Sequence, residues 1–332
     1  MAAEAPKTPE LTVLVPVFNE AENIPLLVAR LTQTLEGCVA SYEIVFVDDG
    51  SRDATMQALR AVHERDPRVD AISFSRNFGK EVAIAAGLDH ARGDAVVIMD
   101  ADLQHPPETI VEMIAKWREG FENVYGLRRD RATDSKLRRA LTQRFYRLFA
   151  RLGETRLPPG AGDFRLLDRK AVNALMRMRE RARFNKGLYS WIGFKSVGVP
   201  YDVADRAHGE SKFTYSKLTR FALDGLMSFS TVPLMVWTFI GMTVSFLAFF
   251  AAAYIVVSTL INGTDVPGYA SLIVSISFLS GIQLMSLGIL GEYVGRIFAE
   301  VKGRPLYIVS EHLSVDARDR APRKAAQPND AE

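Results

Sequence analysis

Asp100, Asp102 and Gln104 alternate along the run Asp100-Ala101-Asp102-Leu103-Gln104, directly after the apolar stretch DAVVIM. Oxygen ligands at alternating positions of a turn can converge on one hard cation, and Mg²⁺ or Mn²⁺ often bridges a protein carboxylate to substrate phosphates. A second acidic turn, Asp48-Asp49-Gly50-Ser51, ends another apolar run, YEIVFV. A purely structural reading competes at Asp102, as an Asx-turn capping the helix that Pro106-Pro107-Glu108 opens; it covers Asp100 and Gln104 less well. The turn Pro16-Val17-Phe18-Asn19-Glu20 lacks the G-x-G-x-x-G of a dinucleotide fold, and no P-loop occurs. Phosphate charge must then be met by a metal and by basic side chains, the combination of a nucleotide-sugar site.

These turns need a scaffold, and the apolar pattern supplies one. Strands are predicted at Leu11–Val17, Tyr42–Val47, Val69–Phe74 and Asp94–Met99. Between them fall helices at Glu20–Leu35, with Asn19 as N-cap, at Asp53–Asp66 and at Gly79–Ala91. Such βα alternation implies a parallel sheet covered by helices, with ligands at the carboxyl ends of the strands, where both acidic clusters fall.

The chain has 332 residues, 48% hydrophobic and 24% charged, which excludes a disordered or fibrous protein. A net charge of +2 gives no case for nucleic-acid binding. The one cysteine, Cys38, excludes an internal disulfide and a CxxC metal site. The N-terminal residues 1–9 are polar and flexible in this reading; no signal-peptide pattern precedes the first domain, 10–210, which is expected to be cytoplasmic. Ten Lys or Arg face three acids between Arg128 and Arg156, with Leu137, Leu141, Phe145 and Leu148 at near-helical spacing, a basic amphipathic helix. Residues 225–264 contain no Asp, Glu, Lys or Arg. Segments 232–260 and 269–291 each reach the roughly 20 residues that a bilayer core requires, with basic flanks that place both outer ends in the cytoplasm as a hairpin. Residues 211–231 suit an interfacial helix, and 292–332 a cytoplasmic segment with a disordered polar tail from Ser314.

VPVFNEAENI, VDDGSRDAT, MDADLQHPPE, GAGDFRLLDRKAV and AHGESKF, in this order and followed by the apolar pair, resemble the family-2 polyisoprenyl-phosphate glycosyltransferases. The branch is that of bactoprenol glucosyltransferases and dolichyl-phosphate mannose synthases, and the likeness spans about residues 10 to 310. It implies an α/β GT-A (Rossmann-like) cytoplasmic domain with interfacial helices and a two-helix transmembrane hairpin, in a bacterial inner-membrane protein. It implies that Pro16, Phe18, Glu20, Val47, Asp49 and Ala101 hold the donor, and that Asp100, Asp102 and Gln104 hold Mg²⁺ or Mn²⁺ against its diphosphate. Arg128 and Arg138 would meet the acceptor phosphate, while Arg206, Ser211 and Lys212 would close over the donor; His208 stands where some relatives carry Arg. Asp163 resembles the aspartate proposed as catalytic base in the bacterial branch. A lipid phosphate is already largely dianionic at pH 7, so a base has little to remove; orienting the sugar, ligating the metal through water or tuning Arg128 stay open, as does a surface pairing with Arg165 or Arg169.

The resemblance implies inverting transfer of a hexose, glucose from UDP-glucose, to undecaprenyl phosphate at the membrane. GDP-mannose or a UDP-amino-arabinose derivative is the alternative donor, and a non-catalytic membrane scaffold the alternative class. Some members of the family are tetramers, and Gly281, Gly288, Gly291 and Gly295 would allow close helix packing.

Overall fold

The computed structural model describes residues 8–129, 161–181, 183–203, 232–262 and 268–314. The chain divides into two units, residues 1–225 with 304–332, and residues 226–303.

In the first unit, β1 (Leu11–Val17), β2 (Tyr42–Asp48), β3 (Val69–Phe74) and β4 (Ala95–Ile98) alternate with α1 (Asn23–Leu35), α2 (Thr55–Arg65) and α3 (Lys80–His90). Then follow α4 (Thr109–Arg118), β5 (Asn123–Arg128), β6 (Ala161–Asp168), α5 (Arg169–Arg177), α6 (Asn185–Trp191) and β7 (Ser196–Tyr201). The second unit contains α7 (Val232–Asn262) and α8 (Tyr269–Val301), after which β8 (Val309–Leu313) rejoins the first. The sheet runs β7-β5-β6-β4-β1-β2-β3-β8. β1, β2, β3 and β4 are parallel, whereas β6 is antiparallel to both β4 and β5 and β8 antiparallel to β3. The all-parallel expectation is therefore corrected to a mixed sheet in a Rossmann-like GT-A domain.

The strands read as apolar runs because helices cover both faces. On one side α1 lays Ile24, Leu27, Leu31 and Leu35, all fully buried, along the sheet at helical spacing. Each such side chain contributes about 1.5–3 kcal/mol. α3 is buried along Ala83–Asp89 rather than on one stripe. A helix with no solvent face needs cover on its far side. Part of it comes from the segment before β8: Tyr307 stacks on Phe74 at 5.1 Å and donates its hydroxyl to Asp89 Oδ2 at 2.9 Å.

A buried polar knot fastens the lower edge of the sheet. Glu43, 3% exposed, accepts from Thr12 Oγ1 at 2.6 Å and from the backbone N–H and guanidinium of Arg92. Arg92 also reaches Asp70 at 3.6 Å. Burial outweighs that attraction and raises the Asp70 carboxyl to about 6. An acid with a raised folded-state pKa contributes stability that is complete below its unfolded pKa of about 3.9 and is lost as pH rises through the folded value. At pH 8 the ionised Asp70 therefore costs on the order of 3 kcal/mol. Asp70→Asn is expected to stabilise the protein by about 1–2 kcal/mol at pH 8, less than the full cost because the Arg92 attraction goes too, and by roughly half that at pH 5. Melting temperatures at the two pH values check this; a variant less stable at pH 8 would refute it.

Candidate active site

Turns at the carboxyl ends of β1, β2 and β4 and the start of α3 build the site. Residues 18–22 form a turn, so α1 starts at Asn23 and not at Glu20. Asn19 adopts a left-handed φ of 55° and does not cap that helix; its backbone N–H donates to Ser51 Oγ at 2.8 Å and its Oδ1 accepts from the Arg52 N–H at 2.9 Å. The Glu20 N–H donates to Thr55 Oγ1 at 3.0 Å, and its carboxylate accepts from Asn23 Nδ2 at 2.6 Å. These bonds tie the turn after β1 to the turn after β2. Together with Gly50, Arg76 and Asn77 they border a cavity of about 600 Å³, into which Phe18 and Arg52 also face. Ser310 of β8 closes one side.

Of the residues expected to hold a donor, Phe18 lines this cavity, while Pro16 and Val47 lie within β1 and β2 and the Val47 side chain is fully buried. Asp49 is also buried, and its carboxylate accepts from the backbone N–H groups of Phe78 at 2.6 Å and Gly79 at 2.9 Å. Burial raises its pKa despite those bonds. Ala101 is buried within the turn after β4.

The acidic turn itself is compact. The Asp100 N–H donates to His105 Nδ1 at 3.1 Å, and Asp102 Oδ1 accepts from the Gln104 N–H at 3.1 Å, an Asx-turn with Leu103 at φ 59°. α4 begins only at Thr109, so this turn is not that helix's cap. The His105 ring stacks on Phe164 at 4.6 Å and meets Tyr201 edge-on, fixing the turn against β6 and β7. Burial lowers the His105 pKa, which suits a neutral imidazole accepting at Nδ1.

Lys80 joins this turn to Asp163. Its Nζ lies 2.5 Å from Asp100 Oδ1 and 3.4 Å from Asp163 Oδ2. Desolvation works to release the Lys80 proton, but the two carboxylates outweigh it and raise its pKa. Burial likewise acts to raise Asp163, yet Lys80, Lys186 and Arg165 together hold its carboxyl down at about 2. The Asp163 side chain is 13% exposed and turned inward to Lys80, which corrects the surface pairing with Arg165 or Arg169. Arg169 instead donates to the Gly93 and Ala91 carbonyls, and Arg165 donates to Gly162 O and Asn123 Oδ1 with its guanidinium 3.7 Å above the Tyr189 ring. Glu81, beside Lys80, accepts from the Asn185 N–H at 2.7 Å; burial and the Asp163 charge push it up to about 7. Lys80, Glu81, His105 and Tyr189 were not singled out from sequence. A lone lysine after N-F-G carries no spacing signal, and neither does Tyr189 within the run RFNKGLYSW.

Arg128 ends β5 with its side chain exposed, and its charge acts on Tyr201 alongside those of Asp100 and Asp102. Arg138, Arg206, Ser211 and Lys212, the amphipathic stretch 137–148 and the interfacial segment 211–231 lie outside the described residues.

Among the described residues no three His, Cys, Asp or Glu side chains form a ready metal cluster. The donor chemistry nonetheless fits a hard cation that draws its other ligands from a substrate diphosphate. Asp100 and Asp102 present oxygen only, and Asp163 Oδ1 is buried without a hydrogen-bond partner among the described residues.

Residues 12–176 match the glycosyl transferase family 2 model. The SfII prophage-derived bactoprenol glucosyl transferase of Shigella flexneri is 46% identical over 302 residues, 91% of this chain and 98% of the relative. An uncharacterized glycosyltransferase of Synechocystis is 47% identical over 92% of this chain and 96% of its own length. Among solved structures, glucosyl-3-phosphoglycerate synthase from Mycobacterium tuberculosis, in complex with Mn²⁺ and UDP, is 18% identical, with a TM-score of 0.45 over 65% of this chain and 75% of that one. With relatives matched over nearly their whole length and the acidic turns assembled at the strand ends, the chain belongs to glycosyl transferase family 2, in its polyprenyl-phosphate branch, and is a glycosyltransferase.

Proposed function

We propose that the protein transfers glucose from UDP-glucose to a polyprenyl phosphate, undecaprenyl phosphate, with inversion at the anomeric carbon. The observation that carries this reading is the junction of the Asp100–Asp102 turn with Asp163 through Lys80, together with the cavity of about 600 Å³ at the turns after β1 and β2. The 46% identity to a bactoprenol glucosyl transferase supports glucose and the lipid acceptor.

The turns after β1 and β2 hold the nucleoside in the cavity. Asp100, Asp102 and Gln104 hold Mg²⁺ or Mn²⁺, which when bound offsets charge on the leaving diphosphate. Arg128 and Arg138 bind the acceptor phosphate, and Arg206, Ser211 and Lys212 close over the donor. A phosphate oxygen of the lipid forms the new bond to the anomeric carbon as the bond to the nucleoside diphosphate breaks. A carboxylate held at about pKa 2 is a poor base, so Asp163 acts by orienting the sugar and by its charge, not by removing a proton.

In this reading α7 and α8 form a membrane hairpin, with residues 10–210 on the cytoplasmic face of the bacterial inner membrane and 211–231 at its surface. Phe239, Phe249 and Tyr254 on α7 are at least 70% exposed, and α7 carries no charged residue. The stretch Phe278–Val301 is long and apolar enough to cross a bilayer. Both ends of the pair connect to the first unit, as a hairpin requires. On α8, Arg296 pairs with Glu292 one turn away at 3.1 Å, which lowers the cost of charge near a membrane edge.

Purified protein with Mn²⁺ and undecaprenyl phosphate, offered UDP-glucose, UDP-galactose, UDP-GlcNAc and GDP-mannose in turn, tests the proposal. Product is expected from UDP-glucose alone, abolished by EDTA and restored by excess Mn²⁺. Product from GDP-mannose instead would overturn the donor, and nucleotide binding without product from any donor would overturn the reaction.

A further inference from the structure

Lys80 is placed with unusual care for a side chain 42% exposed. It is the first residue of α3, directly after Gly79, whose φ of 101° is open to glycine and strained for other residues. The turn before it is pinned by a buried carboxylate, Asp49, which takes the N–H groups of both Phe78 and Gly79. From this anchored start the ammonium lies between one carboxylate in the turn after β4 and one on β6, 2.5 Å from Asp100 Oδ1 and 3.4 Å from Asp163 Oδ2. The other charged groups acting on Asp163 are Glu81, Lys186 and Arg165.

Asp100 thus faces two claims. Its Oδ1 holds the Lys80 ammonium, and the same carboxylate belongs to the turn read above as the divalent-cation site. Two cations on one carboxylate repel strongly at such distances. Asp163, by contrast, is already within reach of the ammonium and has an oxygen, Oδ1, with no hydrogen-bond partner among the described residues. We propose that Lys80 is a positioning residue that occupies Asp100 until a divalent cation binds and then cedes it, moving its ammonium onto Asp163. The exchange keeps a positive charge on Asp100 in both states and directs Asp163 toward the reacting sugar only when the cation is in place. Asp49 serves the exchange by fixing the backbone from which Lys80 swings. The inference rests on the cation reading of the Asp100–Asp102 turn.

Direct Mn²⁺ binding to the full-length protein without nucleotide, followed by the electron-paramagnetic-resonance signal of free Mn²⁺, tests it. Lys80→Met removes the competitor and is expected to tighten Mn²⁺ binding on the order of tenfold. In the transfer assay it lowers kcat with little change in the KM for donor, and Lys80→Arg returns Mn²⁺ affinity toward the wild-type value. Loss of fold would weaken Mn²⁺ binding, so tightening separates the exchange from a structural role. Asp49→Asn, which frees the turn and keeps Lys80, is expected to lower kcat in the same direction. Unchanged or weaker Mn²⁺ binding in a folded Lys80→Met protein would overturn the role of Lys80 while leaving the cation site intact. A wild-type protein that binds no Mn²⁺, or binds it undiminished in Asp102→Asn, would overturn the cation reading and the exchange with it.

Discussion

Asp163→Asn is expected to lower kcat about 10³-fold, the scale of removing one preorganised electrostatic contact from a site of this kind, while the KM for donor changes little. The substitution keeps the shape and removes the charge, so Lys80 at 3.4 Å loses one of its two carboxylates and Glu81 loses the neighbour that pushes it up. The fold should survive, because Lys80 retains Asp100 at 2.5 Å and is 42% exposed, so that water can compensate it. The pH profile separates the roles open to Asp163. With its carboxyl at about 2, Asp163 stays ionised throughout the working range and contributes no ascending limb between pH 5 and 8. Loss of such a limb in Asp163→Asn, where Glu81→Gln leaves it in place, would identify a base and refute the orienting role. A loss of less than tenfold in kcat would remove Asp163 from the reaction.

What the sequence makes legible follows how local each determinant is. Leu11–Val17 and Val69–Phe74 can be bounded to the residue because strands buried on both faces leave an unbroken apolar run. The starts of α1 and α2 lie two or three residues later than periodicity suggests, because residues 18–22 and 51–54 bond across to each other instead of entering their own helices. Asn19 shows why: an amide that looks like a cap is committed to Arg52, 33 residues away. β8 is invisible for the same reason. Val-Ser-Glu-His-Leu has no strand pattern of its own, and it becomes a strand through β3 and through the Arg60–Glu311 pair, which spans 251 positions. At the site, Asp100, Asp102 and Asp163 stand in recognisable runs, but nothing local says that a lysine on a helix twenty positions before the first of them joins them in space. Tyr189 and Arg165 stack for a similarly non-local reason, the return of α6 beneath β6. Sequence thus exposes groups that do chemistry more readily than groups that hold them.

Gly50 connects both kinds of residue, and Gly50→Ala is expected to cost about 3 kcal/mol or more in stability and to abolish nucleotide binding at concentrations where the wild type saturates. Its φ of 70° lies in the left-handed region, which charges an alanine roughly 1–2 kcal/mol. A Cβ there would also stand 2.5 Å from the Arg76 carbonyl carbon and 2.8 Å from the Asn77 nitrogen. Those are backbone atoms, so no rotamer change relieves the overlap, and the segment that borders the cavity must move. Movement propagates in two directions from there. Asp48, just before, holds the Ser51 N–H and the Ser73 hydroxyl, while Asp49 holds the turn that starts α3 and presents Lys80. Displacing residues 76–77 therefore opens the cavity wall and loosens the cation that joins Asp100 to Asp163. Urea unfolding and nucleotide titration measure the two effects on one preparation. A Gly50→Ala protein of wild-type stability that still bound nucleotide would mean that the β2 turn and the 76–77 segment yield independently, and that the pinning of Lys80 through Asp49 is not rigid.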